Sequence, residues 1–481
     1  MSKYTAAVRL RRKGLTVPSD DVNSGPGFVR CCLFWWVVVL TGLAISAYLW
    51  VYLNGQLGHG FPYNTLAFMP SERLSDFTAF SQPFQHFGTA QFWPDLADLG
   101  FNYPAPAAYV YLFFFRLIPH HPYAAAVMYD ATVAGAAFLA AALMAFSVRR
   151  TELAGPIAAV LLLTFVTSYP LMFLVDRANV EGAAWVAAVL GIWAFMRGRG
   201  GLAALFLGCA AAIKLAPLVL VFLFLRKRDW RNAAVFVSLF VGLNILAMWF
   251  AAPHLWRTFG LIGTGLTGFV HARVQAFDAA GIGVDHSLFS VVKQGLIWSC
   301  YVARLSKPVL GRMINTAYYV YIGGWLAMGV VLIRWFRRLP MLNCMFALFI
   351  VQTIAPPLSY DYTLVYLYIP WAVFLVVFLL QEVSSRRTDF ALSTALAVLI
   401  PYAIVFTPQQ CYLVIGGIGH TSPLGDSGHI GFAGQVKALA LLYLLVVAAL
   451  NPMPCRIFGE ADRAEWHRPA ALSPPVGPGP V

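Results

Sequence analysis

Long runs of apolar residues recur along the chain, and shorter polar segments separate them. The first run, residues 31–53, holds no charged residue and is long enough to cross a hydrocarbon core of roughly 30 Å as a helix. Further runs of this kind are residues 122–148, 153–175, 180–196, 232–252, 314–333, 341–356, 362–380, 390–407 and 434–450. We therefore predict an all-α polytopic membrane protein with about ten transmembrane helices within residues 31–455.

Basic residues near the ends of these runs predict the orientation of the spans. Residues 1–30 form a basic arm before the first run, and clusters of Arg and Lys follow later runs, as at residues 226–231 and 334–338. Because such clusters stay in the cytoplasm, we predict that both termini are cytoplasmic and that residues 456–481 form a disordered, Pro-rich tail. The compact loops favour a bacterial inner membrane.

Composition supports the same class of protein. Hydrophobic residues make up 60% of the 481 residues and charged residues only 11%, whereas about 25% of the residues in soluble domains are charged. The net charge of +13 is carried by few charges in an apolar chain. Because most of it is the orientation signal, we expect contact with membrane lipids and no nucleic-acid partner.

One apolar stretch, residues 202–225, lies between two basic clusters that are both predicted to be cytoplasmic. A single span would place one of these clusters outside. Lys214 and Pro217 lie in the middle of the stretch, where proline breaks a helix and a lysine facing lipid is costly. We therefore predict a re-entrant hairpin of two half-helices, with Lys214 facing a polar cavity that opens to the outside.

Two large regions are predicted on the outer side, residues 54–121 and residues 253–313. Each contains an apolar piece that is too interrupted to span, at 104–119 and 287–302, and we expect these pieces to lie in the membrane interface. Ionisable and polar residues gather on this side. They are Asp76, the stretch Asp176-Arg177-Ala178-Asn179, Glu181, Lys214 and Asp361.

Some of these residues have an ordinary structural alternative. Asp76 and Asp361 could cap helices, and Asp176 with Arg177 could form a local ion pair. A lysine inside an apolar hairpin has no such alternative, and a functional role is favoured for Lys214. Glu181 is expected to pack against the cations.

A carboxylate base beside fixed cations meets the requirement for glycosyl transfer from a lipid-linked sugar phosphate. The base deprotonates an acceptor hydroxyl, the hydroxyl attacks the anomeric carbon, and Lys or Arg stabilises the departing phosphate. Since fixed cations supply the positive charge, neither a metal nor a cofactor is required. The GxxxxGK[ST] and HExxH motifs of nucleotide-driven pumps and zinc proteases do not occur in the sequence.

In these residues the chain resembles the GT-C membrane glycosyltransferases, and among them glycosyltransferase family 87, the α-mannosyltransferases that use polyprenyl-phosphate mannose. Asp76-Phe77 and the stretch FNYPA at residues 101–105 are similar to the family's first-loop patterns, and AAAIKLAP at 210–217 is similar to its Ile-Lys-x-x-Pro motif. The similarity extends over most of residues 30–400. Asn179 matches the family's Gly-Gln-x-Asn, whereas Tyr362 and Thr363 stand where the family often has two histidines.

The resemblance implies that Asp76 is the catalytic base and that Lys214 serves the donor phosphate. We place Arg177 beside the same phosphate. The sugar or acceptor pocket is expected to contain Tyr103, Asn179, His286 and Asp361. The implied reaction is an inverting transfer of a hexose, with mannose expected, from a polyprenyl-phosphate donor to a lipid or glycan hydroxyl outside the membrane.

Two other classes of protein remain open at this point. A polytopic transporter or lipid flippase would also carry ionisable residues near a cavity, although such sites usually lie near the midplane between internal repeats. We find no repeats, and the ionisable residues gather on the outer side. A noncatalytic assembly subunit would fit if Asp76 pointed away from the other polar residues.

Overall fold

The structure, a computed structural model, describes residues 74–146, 169–251, 255–275, 285–379, 412–414, 429–431 and 433–450. These parts are mainly helical, with one antiparallel ribbon of β1 (Tyr412–Val414) and β2 (His429–Gly431). Three helices in the described parts are long and apolar enough to cross a membrane, over Pro122–Ala140, Trp230–Phe250 and Pro308–Phe336. The chain is therefore a helical membrane protein, and the total of about ten spans stays a prediction.

Several predicted segments lie outside the described residues. They are the basic arm 1–30, the span 31–53, the part of the span 153–175 that precedes Tyr169, the span 390–407 and the tail 456–481.

Four helices form the described part of the first outer region. They are α1 (Ser75–Thr78), α2 (Ser81–Gln85), α3 (Phe92–Asp98) and α4 (Ala105–Leu117). Aromatic side chains join them, since Phe77 and Phe84 both contact the ring of Tyr111 on α4. Helix α4, predicted as an interfacial piece, packs against α5 (Pro122–Phe146). Its Tyr109 hydroxyl also donates a hydrogen bond to the carbonyl of Ala247, at 2.7 Å.

The next two helices meet at a tight turn that carries part of the candidate site. Helix α6 (Tyr169–Arg177) ends one residue before Ala178, which has a left-handed backbone with φ 48°. Helix α7 (Glu181–Met196) begins three residues later. The turn comprises residues 178–180, because Asp176 and Arg177 belong to the last turn of α6.

Helix α8 (Gly200–Ile213) packs closely against α7 and against α10 (Trp230–Ala251). A Cβ atom on Gly200 would collide with the side chain of Asn232, and one on Gly208 would lie 3.0 Å from the carbonyl oxygen of Phe236. The partner of Gly208 comes after the partner of Gly200 along α10, so the two helices run parallel. The chain between them must therefore return to the end where α8 began.

That return starts at Lys214. The helix stops at Ile213, Lys214 is extended with φ −139° and ψ 135°, and the chain continues as a 3-10 helix (Ala216–Leu220) and α9 (Val221–Arg226). Pro217 lies at the start of the 3-10 helix, where its missing N–H removes no hydrogen bond of the fold. The helix break thus occurs where the sequence predicted it, and its placement in a membrane stays a prediction.

The second outer region and the rest of the chain continue the helical pattern. The elements are α11 (Leu255–Phe269), a π-helical segment (Val270–Gln275), α12 (Leu288–Val302), α13 (Lys307–Phe336), α14 (Met341–Ile354), a 3-10 helix (Asp361–Leu367), α15 (Tyr368–Leu379) and α16 (Ala433–Leu450). Helix α13 begins before the predicted residue 314, because Pro308 is tolerated in the first turn of a helix.

Helix α14 lies at the centre of the largest apolar core. All of its side chains are buried, and α16 and the 3-10 helix Asp361–Leu367 pack against it. The same 3-10 helix packs against α6, which ends at the candidate site. The 3-10 helix, which begins with Asp361, also packs against α7, which begins with Glu181.

Candidate functional site

Asn179 is the centre of the polar residues at the turn between α6 and α7. Its side-chain amide donates one hydrogen bond to Asp76 Oδ2 at 2.6 Å and another to the hydroxyl of Tyr103 at 2.9 Å. Its Oδ1 accepts from the backbone N–H of Glu181 at 2.9 Å, and its own carbonyl accepts from the hydroxyl of Tyr129 at 2.7 Å. The buried Asn179 therefore joins the first outer region to the start of α7.

Asp76 lies in the short helix α1 and is half-buried. The N-cap of α1 is Leu74, whose backbone is left-handed with φ 57°, and no side chain caps this helix. The Leu74 N–H instead donates to the carbonyl of Asp176 at 2.6 Å. The carboxylate of Asp76 accepts a hydrogen bond from the side chain of Asn179, on the turn between α6 and α7.

Tyr103 links the amide of Asn179 to the cation of the hairpin. Its side chain is 7% exposed, and its ring lies 4.6 Å from the ammonium of Lys214. Burial, and next the negative charge of Asp76, raise the pKa of Tyr103 well above its ordinary value. The hydroxyl therefore stays protonated at neutral pH.

Lys214 pairs with a carboxylate that the sequence predicted only as a packing partner. Its Nζ lies 2.9 Å from Oε2 of Glu181, the first residue of α7, and the Glu181 side chain is completely buried. The Lys214 side chain keeps 21% of its surface exposed. The ring of Tyr362 lies 6.0 Å from the same ammonium. Lys214 is thus a partly accessible cation with a buried counter-ion.

Arg177 is the last residue of α6 and contacts the first residue of α1. Its guanidinium donates to the hydroxyl of Ser75 at 2.8 Å and stacks over the ring of Phe173 at 5.6 Å. Ser75 directly precedes Asp76 in α1. The structure therefore brings together five of the predicted residues, which are Asp76, Tyr103, Arg177, Asn179 and Lys214.

The two remaining predicted residues, His286 and Asp361, form a second and fully buried cluster. His286 Nδ1 donates to Asp361 Oδ1 at 3.2 Å, and its Nε2 lies 3.1 Å from the hydroxyls of Ser359 and Thr363. The other carboxylate oxygen of Asp361 lies 2.6 Å from the ammonium of Lys437 on α16. Burial lowers the pKa of His286, so that the imidazole is neutral in this cluster.

Backbone contacts hold the loop of His286 against the loop that precedes Asp361. Asp285 accepts hydrogen bonds from the N–H groups of Ser287 and Ser359, both at 2.9 Å, and the His286 N–H donates to the carbonyl of Ser359. Burial raises the pKa of Asp285 to about 7. Asp285 therefore fixes the register of the two loops, a role the sequence did not predict.

Tyr362 connects the two clusters, because it follows Asp361 in the chain and its ring lies near Lys214. The ring of Phe173 is 5.7 Å away from the same ring. In the described residues, no group of three or more His, Cys, Asp or Glu side chains lies close enough to hold a metal ion. The polar groups that the structure assembles are a carboxylate, an amide, phenols and cations.

A model of glycosyltransferase family 87 matches residues 101–356 of the chain, just over half of its length. The match includes Tyr103, Arg177, Asn179, Lys214 and His286, while Asp76 precedes it and Asp361 follows it. No curated protein matches the chain.

Proposed function

Because the chain belongs to glycosyltransferase family 87, we propose that it transfers a hexose from a polyprenyl-phosphate donor to a hydroxyl of a lipid or glycan acceptor. The family makes the chain a glycosyltransferase, and its long apolar helices make it a membrane protein. Mannose is the expected sugar. The proposed site lies at the outer face of a bacterial inner membrane, and both termini are in the cytoplasm.

The reaction proceeds as one displacement at the anomeric carbon. The acceptor oxygen forms a bond to this carbon as the bond to the phosphate oxygen breaks, and the bonding electrons leave with the polyprenyl phosphate. Asp76 takes the proton of the acceptor hydroxyl as the general base. Attack opposite the leaving phosphate inverts the configuration at the anomeric carbon.

The negative charge of the phosphate increases as it leaves, and fixed cations stabilise this added charge. A phosphodiester carries one negative charge, whereas a free phosphomonoester carries about −1.5 to −2 at neutral pH. Lys214 and Arg177 hold the phosphate in this proposal, which therefore requires no metal ion. Tyr103 and Asn179 orient Asp76, and His286 and Asp361 support the pocket through Tyr362.

One observation carries the proposal. Asp76, Asn179 and Tyr103 form a continuous chain of contacts that ends at the ammonium of Lys214. A candidate base and a candidate phosphate ligand thus lie at opposite ends of one network of contacts. Such preorganisation is the condition under which fixed charges stabilise a transition state strongly.

The test is transfer by the purified protein in nanodiscs, supplied with polyprenyl-phosphate mannose and a panel of lipid and glycan hydroxyl acceptors. Asp76→Asn should lower the rate of transfer by about 10²–10⁴-fold, because the amide cannot accept the proton. Asp98→Asn is the matched control, since Asp98 is an exposed carboxylate in the same region. Full transfer by a folded Asp76→Asn variant would eliminate the proposed base.

The donor phosphate is tested with Lys214→Met. This change should weaken use of the donor by about 1.5–3 kcal/mol, the usual contribution of a hydrogen bond to a charged group. Lys227→Met, at an exposed lysine, is the control. Product formation also separates the proposal from its rival, because a transporter or flippase would move lipid without making a new glycosidic bond.

A further inference from the structure

Lys214, the cation of the hairpin, forms an ion pair with Glu181. Glu181 Oε2 lies 2.9 Å from Lys214 Nζ, and the Glu181 side chain has no exposed surface, whereas 21% of the Lys214 side chain is exposed. Any anion that reaches Lys214 must approach from the exposed side. The carboxylate then lies behind the ammonium, within a few ångströms of the arriving charge.

This geometry makes the attraction of Lys214 for an anion only weakly dependent on the anion's charge, because the pair carries no net charge. The ammonium attracts each negative charge, while the carboxylate, slightly farther away, repels it. The repulsion acts once on a phosphodiester and about twice on a phosphomonoester, which is the form that leaves after transfer.

The neighbouring groups keep the pair in this arrangement. Glu181 begins helix α7, where the helix dipole stabilises a carboxylate, and its backbone N–H is held by Asn179 Oδ1. Lys214 follows the end of α8, and its ammonium lies over the ring of Tyr103. The ends of two packed helices therefore fix both charges before any lipid binds.

We propose that Glu181 is an internal counter-anion that suppresses the preference of the Lys214 site for phosphomonoester lipids over phosphodiester lipids. The inference rests on the proposed function, in which the donor is a phosphodiester and the product a phosphomonoester. Glu181 acts through Lys214 and is a positioning residue. It limits the affinity for the polyprenyl phosphate product, so that the product leaves and a new donor enters.

The experiment measures equilibrium binding of two lipids of the same chain length at pH 8. The probes are a short-chain polyprenyl phosphate and its methyl diester, and the protein is the full chain in nanodiscs. The wild type should bind the two lipids with affinities that differ by less than about threefold. The affinities are nearly equal because the attraction by Lys214 and the repulsion by Glu181 both increase with the charge of the lipid and largely cancel.

Glu181→Gln removes the negative charge and keeps the size of the side chain. The variant should bind the methyl diester about threefold more tightly than the wild type and the phosphomonoester about tenfold more tightly, because the lost repulsion acted on about two charges. The ratio of the two affinities is the decisive quantity. A residue that merely holds Lys214 in place would change both affinities together and would leave this ratio unchanged.

Two results would overturn the proposal. One is a Glu181→Gln variant that leaves the ratio of the two affinities unchanged, whether both lipids bind more weakly, more tightly or as before. The other is a wild type that already binds the phosphomonoester more than about threefold more tightly than the diester, a measurement that needs no variant.

Lys214→Met separates this inference from the proposed function. If Lys214→Met leaves both affinities unchanged, the donor-phosphate role of Lys214 is wrong, and the proposal for Glu181 fails with it. If Lys214→Met weakens both affinities while Glu181→Gln leaves their ratio unchanged, only the proposal for Glu181 fails.

Discussion

The ion pair between Lys437 and Asp361 offers a sharp test of how the second cluster is stabilised. The two side chains come from α16 and from the start of the 3-10 helix, and their charged atoms are 2.6 Å apart. They are 3% and 0% exposed. Lys437→Met removes the cation, keeps most of the side-chain volume and leaves the carboxylate of Asp361 buried beside a neutral His286.

The expected cost follows from this burial. Breaking a buried ion pair by removing one partner costs about 3–5 kcal/mol, because the remaining charge has no compensation. The double variant Asp361→Asn/Lys437→Met removes both charges, and such a replacement is often neutral or stabilising. The amide oxygen that replaces the carboxylate would still accept the hydrogen bond from His286 Nδ1. The double variant should therefore recover most of the stability that Lys437→Met loses.

Thermal unfolding in one detergent, at one protein concentration, gives the order of stabilities. The wild type and the double variant should unfold at similar temperatures, and the single variant well below them. Lys227→Met is the control for loss of an exposed lysine. Because the ammonium of Lys227 lies 4.1 Å from the centre of the Phe195 ring, a change of up to about 1 kcal/mol is expected. Unfolding of Lys437→Met at the wild-type temperature would refute the reasoning, and so would a double variant no more stable than the single one.

Three further changes test the site and its support. Asn179→Ala should lower the rate of transfer at saturating substrate, because Asp76 loses the donor that orients it. The thermal midpoint should change less than for Lys437→Met. An unchanged rate would show that Asn179 does not orient Asp76. Gly208→Ala should destabilise by about 1–3 kcal/mol in thermal unfolding, whereas Gly242→Ala, where a Cβ meets no atom within 4 Å, should not. The pKa of Asp285 in the folded protein is about 7, above the ordinary value of 3.8, so the wild type loses stability as pH rises from about 4 to 7. Asp285→Asn has no such group and should become more stable relative to the wild type over this range. Parallel curves of stability against pH for the two proteins would contradict the prediction.

The helix break at Lys214 shows what sequence patterns can predict. Proline removes a backbone donor and lysine is costly in lipid, so both constraints are local and readable from the residues themselves. The close packing of α8 and α10 depends on small residues such as Gly208 at their contact. The sequence motifs and their order along the chain pointed to seven candidate residues, and the structure brings five of them together.

The partners of those residues were less predictable, since they depend on contacts between distant segments. Glu181 was expected near a cation, but no spacing rule selects Lys214 as that cation. Lys437 lies in an apolar run and was not singled out, although it reaches Asp361 on another element, 76 positions away in the chain. Pairing across a tertiary interface leaves no periodic pattern in either segment.

The charges of the site show how the steps of the proposed reaction depend on one another. Two carboxylates, Asp76 and Glu181, stand beside two cations, Lys214 and Arg177, in contacts that hold each side chain in place. When Asp76 takes the proton, its negative charge disappears as the leaving phosphate gains one, so the transfer step leaves the total charge unchanged. Loss of that proton to water restores the charge of Asp76 while the phosphomonoester is still bound. Repulsion from both carboxylates then favours release of the product, and deprotonation of Asp76 prepares the site for the next acceptor.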